Sequence, residues 1–124
     1  HKHSYYLIVH SEIFGLNRDE IEIIAHVARY HRRSAPKPSH VDYASLPRET
    51  RIVINKLAAI LRVADALSRG RLYKGSDLRL ERQGDDLIIY VPGVSDLTLE
   101  KRALAVRRDL FEDIYGMRVR VEEA

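Results

Sequence analysis

The sequence predicts an α+β protein in which an all-helical part precedes a small part with the order strand, strand, helix, strand. Two observations support this class. In the first part of the chain, apolar residues recur at three- and four-residue spacing, which is typical of helices packed on one side. Beyond residue 76, short segments alternate apolar and polar residues, as half-buried strands do. We therefore expect a helical domain over residues 1–72 and a β-β-α-β domain over residues 76–124.

Two helices are predicted before the central loop of the helical domain. The first covers residues 1–11 and ends at a turn that contains Gly15. Asn17 and Glu20 are three residues apart and precede an apolar run, which is the pattern of a capping box. The second helix is therefore predicted to begin after Asn17 and to reach about Arg32.

A long helix is predicted after the loop. Two prolines and two serines mark residues 34–40 as the loop. Pro47 suits the first turn of a helix because its missing N–H would have no partner there. Gly70 is a helix terminator, so the long helix is expected to end near Ser68 or Arg69.

The second domain contains two predicted strands, a helix and a third strand. The first two strands cover residues 78–82 and 87–91, with a glycine-containing turn between them. The helix covers residues 99–115 and ends at Gly116, and the last strand covers residues 117–121. Such a unit buries one face of its sheet under its own helix.

Composition excludes several classes of protein. The chain has no cysteine, which excludes disulfides and cysteine-ligated zinc. No apolar run is long enough to span a bilayer and no secretory leader opens the sequence, so we expect a cytoplasmic protein without a membrane partner. Because the sequence opens at His1 inside an apolar pattern, we also expect it to be part of a longer protein.

The charge is divided unevenly along the chain. Residues 1–75 contain 13 basic and 7 acidic residues, whereas residues 76–124 contain 8 basic and 11 acidic residues. An anionic partner would therefore meet the first part. Ordinary variation of surface charge is the alternative.

Asp65 and His31 are the polar residues that most need a chemical explanation. Each lies on the apolar side of a helical pattern, and a carboxylate in that position is costly unless a cation, a metal or hydrogen-bond donors satisfy it. Imidazole and carboxylate groups from different helices can hold a divalent metal. Alternatively, Asp65 bonds a donor such as Arg29 or Arg62, and His31 is a core histidine.

Three segments, residues 1–8, 28–33 and 57–67, resemble the HD phosphohydrolase superfamily. Within it they are most similar to the C-terminal region of the exopolyphosphatase/guanosine pentaphosphate phosphohydrolase family. This resemblance implies an HD-domain-like bundle for the helical domain. It also implies that hydrolysis is performed by an N-terminal catalytic domain of the same parent chain, as in many relatives.

The resemblance implies that this sequence holds only part of a metal site. His1, His31 and Asp65 match metal-binding positions, with His3 as the alternative to His1, but the His-Asp doublet that would complete the site is absent from this sequence. We therefore expect no cofactor in this chain, although a divalent metal is possible in the intact parent.

Basic residues provide a second candidate site, for anions. Guanidinium and ammonium groups suit phosphate oxygens, so polyphosphate or a nucleotide polyphosphate is the expected partner, and a solvated basic surface is the alternative. Nucleic acid is not expected, because no aromatic platform accompanies these residues. The candidate residues are Arg29, Arg32, Arg33, Lys37, Arg62 and Arg69.

Three functional interpretations follow. The first is an accessory region of an exopolyphosphatase-like enzyme, without activity alone, that binds phosphate polymers and aids dimerisation. The second is part of a metal-dependent HD phosphohydrolase acting on a phosphoester or nucleotide, and the third is a purely structural interface. A homodimer is expected because apolar residues of the helical domain would otherwise form an open patch. They are Tyr5, Leu7, Ile8, Ile24 and Leu61.

Overall fold

A computed structural model of the chain combines helices with a small sheet. Its described residues form six helices and a three-stranded sheet, so the predicted α+β class is confirmed. None of these helices has the length and apolar character needed to cross a bilayer. The described residues are 2–12, 15–31, 35–68, 78–93 and 96–124.

The chain divides into two compact units. Unit 1 comprises His1–Leu61 and unit 2 comprises Arg62–Ala124, so the division falls inside the longest helix. The helices are α1 (Lys2–Val9), α2 (Arg18–Tyr30), α3 (Val41–Ala44), α4 (Arg48–Ser68), α5 (Thr98–Arg107) and α6 (Asp109–Tyr115). The strands are β1 (Arg79–Gln83), β2 (Asp86–Val91) and β3 (Arg118–Glu123). The predicted domain border at residues 72–76 lies outside the described residues and stays a prediction.

The predicted capping box begins α2. The Asn17 side chain accepts a hydrogen bond from the Glu20 N–H at 2.8 Å, and the Glu20 carboxylate accepts one from the Asn17 N–H at 3.0 Å. Two of the N–H groups that a helix leaves unpaired at its start are thereby satisfied. The helix ends at Tyr30, slightly before the predicted end at Arg32.

The connection between α2 and α4 contains a helix that was not predicted. The four-residue α3 follows the proline-containing loop, and helical hydrogen bonds from Ala44 to His40 and from Ser45 to Val41 hold it. Pro47 then directly precedes α4, and its carbonyl accepts the Arg51 N–H at 3.0 Å.

The sheet of unit 2 has the order β1-β2-β3. β1 and β2 form the predicted antiparallel hairpin, whereas β2 and β3 are parallel, with Asp86 opposite Arg118. Val119 and Val121 of β3 are buried and alternate with polar residues, as the sequence pattern indicates.

The predicted helix over residues 99–115 is two helices. The break falls at Arg108, whose N–H still donates to Leu104 and whose carbonyl still accepts from Glu112, both at 2.9 Å. Because Arg108 keeps right-handed helical torsions, the chain continues without a glycine or proline that would have marked the break. Gly116 ends α6 with a φ of 68°, as its place after the apolar pattern predicts.

Candidate functional site

The predicted metal ligands fall in both units. His1 lies outside the described residues, His31 belongs to unit 1 and Asp65 to unit 2. The Nδ1 atom of His31, which follows α2, is 2.8 Å from the Ala28 carbonyl oxygen. Within the described part of the chain, no three histidine, aspartate or glutamate side chains converge as a metal site would require. The metal assignment stays a prediction.

Asp65 is paired with Arg107 of α5. The Arg107 guanidinium donates to the Asp65 carboxylate, and both side chains are largely buried, at 9% and 21% exposure. This ion pair gives Asp65 the cation that its position demands. The sequence pointed to Arg29 or Arg62 as that donor and did not single out Arg107, which is 42 residues away.

Arg62 is itself buried, with 4% of its surface exposed. Burial lowers the pKa of Arg62, and the neighbouring positive charge of Arg107 lowers it further, while Asp109 acts in the opposite direction. This burial disfavours Arg62 as a contact for an anion in solution.

Two of the other predicted anion-binding residues are described, and both belong to unit 1. Arg29 of α2 is half-buried and its guanidinium lies 5.2 Å from the centre of the Tyr30 ring. Lys37 is exposed in the loop before α3. Arg32, Arg33 and Arg69 lie outside the described residues. The anion site therefore stays a prediction.

Unit 1 contains a buried group of rings that the sequence analysis missed. We call it the aromatic cluster: Tyr5, His26, Tyr30, His40 and Tyr43. The His26 ring is fully buried, and its centre lies 4.8 Å from that of Tyr5, 6.1 Å from that of Tyr30 and 6.2 Å from that of Tyr43. The spacing of Glu22, His26 and Tyr30 at every fourth residue of α2 was the available sequence signal.

Hydrogen bonds fix the rings of the aromatic cluster. Tyr5 donates to Glu22 at 3.1 Å, and Nε2 of His26 lies 3.3 Å from the same carboxylate oxygen. The Tyr30 hydroxyl lies 2.9 Å from Nδ1 of His40. Because the Tyr30 ring is thus fixed, it is a firm support for the Arg29 guanidinium above it.

Burial governs the protonation of the aromatic cluster. It raises the pKa of Tyr5 to about 12, and the hydrogen bond to Glu22 contributes in the same direction. It also lowers the pKa of His26 below 6.5, although Glu22 partly offsets this. His26 is therefore neutral at pH 7, and its hydrogen-bond partner is the Glu22 carboxylate.

An apolar groove lies between α2 and α4 in unit 1. Its volume is about 570 Å³, and His31 is the polar residue of its lining. Several of its side chains are well exposed, and Ile60 reaches 50%. A surface of this kind favours an apolar partner over a charged one. The lining residues are Ile23, Ile24, Val27, Ala28, His31, Leu57, Ile60 and Leu61.

Comparison with protein families gives a match over most of the chain. The family model for Ppx/GppA phosphatase, domain III, matches residues 1–110, which include every predicted site residue. No curated protein matches the chain significantly.

Proposed function

Because the chain belongs to the Ppx/GppA phosphatase family, through its domain III, we propose that it is an accessory region of an exopolyphosphatase or guanosine pentaphosphate phosphohydrolase-like protein. In this proposal it binds polyphosphate or a nucleotide polyphosphate and aids homodimerisation. Catalysis takes place in another domain of the same cytoplasmic parent.

The ion pair between Asp65 and Arg107 is the observation that carries the accessory role. Asp65 matches the last aspartate of the HD motif, and Arg107 neutralises it from within unit 2. A carboxylate already compensated by a buried guanidinium is a poor metal ligand, since binding a metal would break this buried ion pair. This favours the accessory role over the alternative of a metal-dependent HD phosphohydrolase.

Arg29 and Lys37 support the binding role. Arg29 is positioned by Tyr30, so less side-chain freedom is lost when an anion binds. Lys37 adds an exposed charge from the neighbouring loop. Guanidinium and ammonium groups together suit a chain of phosphates, because one binds in a fixed orientation and the other adapts.

The apolar groove supports the proposed homodimer. Exposed side chains of α2 and α4 form a continuous apolar surface, and a second copy of the chain would cover it.

The accessory role is tested by an activity assay. The chain is incubated with polyphosphate or guanosine pentaphosphate, with Mn²⁺ or Zn²⁺ added, and no release of phosphate is expected. Asp113→Asn is the control, because it makes the same change from carboxylate to carboxamide at an exposed position. Metal-dependent turnover that is lost in Asp65→Asn and retained in Asp113→Asn would contradict the proposal.

The binding role is tested by reversing charges on unit 1. The Arg29→Glu/Lys37→Glu variant is expected to bind polyphosphate about tenfold more weakly, with a weaker dependence on salt, because fewer charged contacts remain to be screened. The Arg48→Glu/Lys56→Glu variant changes the charge equally at exposed positions of α4. Equal losses in the two variants would show that only net charge matters.

A further inference from the structure

The outer edge of β3 carries backbone N–H groups that do not face β2. Arg118 donates its N–H to Asp85 at 2.8 Å and Ala124 donates to Val91 at 3.2 Å, so alternate residues of β3 pair with β2. The N–H groups of the residues that alternate with them, Val119, Val121 and Glu123, therefore point away from the sheet.

The outward N–H groups of Val119 and Val121 differ in their partners. Val119 donates to the Glu112 carboxylate at 2.9 Å, so an anionic group of the chain itself satisfies it. Within the described residues, no acceptor faces the Val121 N–H, although Val121 is only 2% exposed. A shielded N–H without an acceptor is unfavourable, and an acceptor that entered there would remove that cost.

A cavity of about 230 Å³ lies at this point of the edge, and we call it the β3 pocket. Lys101, Leu104 and Arg108 face it from α5 and its end, at the three- and four-residue spacing of one helix face. The full lining is Lys101, Leu104, Arg108, Arg120, Val121 and Glu122.

The charges of the β3 pocket favour an anion. The ammonium group of Lys101 meets no acceptor among the described residues, and the Nε atom of Arg108 is 3.8 Å from Glu112, which is a loose pair. Arg120 is already engaged, at 3.3 Å from Glu122 and 3.5 Å from Asp86. Lys101 and Arg108 are thus the cations available to a ligand.

We propose that the β3 pocket binds a phosphoryl group of a phosphate chain. Lys101 and Arg108 supply its charged contacts, and the Val121 N–H supplies a backbone donor, as the Val119 N–H does for Glu112. Charge-assisted hydrogen bonds of both kinds are the ones that proteins commonly make to phosphate oxygens. The proposal relies on the proposed function only for the choice of a phosphate chain, and its residues are separate from Arg29 and Lys37.

Titration of the full chain with inorganic tripolyphosphate tests the β3 pocket, with NMR following the amide signal of Val121. Lys101→Glu and Arg108→Glu are each expected to weaken the binding seen at this amide by about tenfold. Arg102→Glu makes the same charge change next to Lys101 on α5 but outside the pocket, and it is expected to change the affinity less than about twofold. Lys101→Gln repeats the test without a new negative charge.

The outcomes separate this pocket from the proposed site on unit 1. An unmoved Val121 signal, or equal losses in Lys101→Glu and Arg102→Glu, would overturn the β3 pocket. Loss of binding in Arg29→Glu/Lys37→Glu alone would also overturn it and leave the proposed function standing. Loss at the Val121 amide in the pocket variants, with Arg29→Glu/Lys37→Glu unchanged there, would support it.

Discussion

Among the described residues, the polar groups that unit 1 buries are aromatic rings, whereas those that unit 2 buries are guanidinium and carboxyl groups. Unit 1 buries His26 among tyrosines, and unit 2 buries Arg62, Glu100 and Arg107. A neutral group that loses its partner costs little more than one hydrogen bond, but a buried charge that loses its partner costs several times as much. Unit 2 should therefore be the more sensitive of the two to the loss of one polar side chain.

The units also differ in the apolar side chains that they expose. Among the described residues, nine of the twelve large apolar side chains that are well exposed belong to unit 1 and three to unit 2. The three in unit 2 are Leu80, Leu99 and Val106. Unit 1 thus has the surface of a protein that meets an apolar partner, and unit 2 buries its apolar residues more completely.

The largest expected effect breaks the ion pair of unit 2. Asp65→Ala removes the Asp65 carboxylate from the buried ion pair with Arg107 and should lower the free energy of unfolding by about 3 kcal/mol. Glu81→Ala removes the partner of Arg79 in an exposed pair and should cost less than about 1 kcal/mol. Urea denaturation followed by circular dichroism measures both. Equal losses of unfolding free energy in Asp65→Ala and Glu81→Ala would contradict the expected difference between a buried and an exposed ion pair.

The double variant Asp65→Leu/Arg107→Met sharpens the same test. Replacing both charges with apolar side chains should recover most of the stability lost in Asp65→Ala, since neither member of this ion pair is then left buried alone. Stability as low as that of Asp65→Ala would show that the loss comes from packing instead.

The next effect depends on pH and concerns unit 1. Burial lowers the pKa of His26 in the folded chain, so the unfolded chain takes up the proton first as the pH falls below 6.5. The stability that neutral His26 contributes is therefore complete above pH 6.5 and is lost as the pH falls toward the lowered pKa. His26→Phe should flatten the pH dependence of unfolding in this range, whereas His10→Phe, at an exposed position, should not. An unchanged slope in His26→Phe would contradict the prediction.

A smaller effect is expected from one neutral hydrogen bond of unit 1. Tyr43 donates to the Asn55 side chain at 2.8 Å, and Tyr43→Phe should cost about 1 kcal/mol. Tyr6→Phe makes the same chemical change on an exposed ring and should cost a few tenths of a kcal/mol at most. A loss for Tyr43→Phe as large as that for Asp65→Ala would remove the distinction between the units.

The smallest effect on stability is expected in the apolar groove. Ile60 is half exposed, so Ile60→Ser should change the free energy of unfolding by less than about 1 kcal/mol. Sedimentation should nevertheless show a weaker dimer, while Val106→Ser on unit 2 leaves the dimer intact. A monomer in the unaltered chain would remove the proposed role of the groove.

Local signals in the sequence predicted most of the elements. Asn17 and Glu20 marked the start of α2, Gly116 marked the end of α6, and alternation marked the three strands. The break at Arg108 could not be predicted, because the torsions of that residue stay helical and no glycine or proline stands there. The short α3 was missed because the prolines before it indicate only a loop.

The contacts of the candidate residues were less predictable than the elements. The cost of burying Asp65 indicated that it needs a partner, but its sequence neighbourhood could not show that the partner comes from α5. His26 was overlooked because the four-residue spacing that places it beside Tyr30 does not show that Tyr5 and Tyr43 also contact its ring. Long-range packing decides both, and the local pattern of residues does not contain it.

The parallel pairing of β2 with β3 has a consequence for the order of folding. The β1–β2 hairpin closes through a two-residue turn, whereas β3 reaches β2 only after both α5 and α6 have been traversed. Closing the longer loop between β2 and β3 costs more chain entropy before the contacts of β3 stabilise the sheet. We expect the hairpin to form early and β3 to join last, so that the pocket at its edge is completed in the final step of folding.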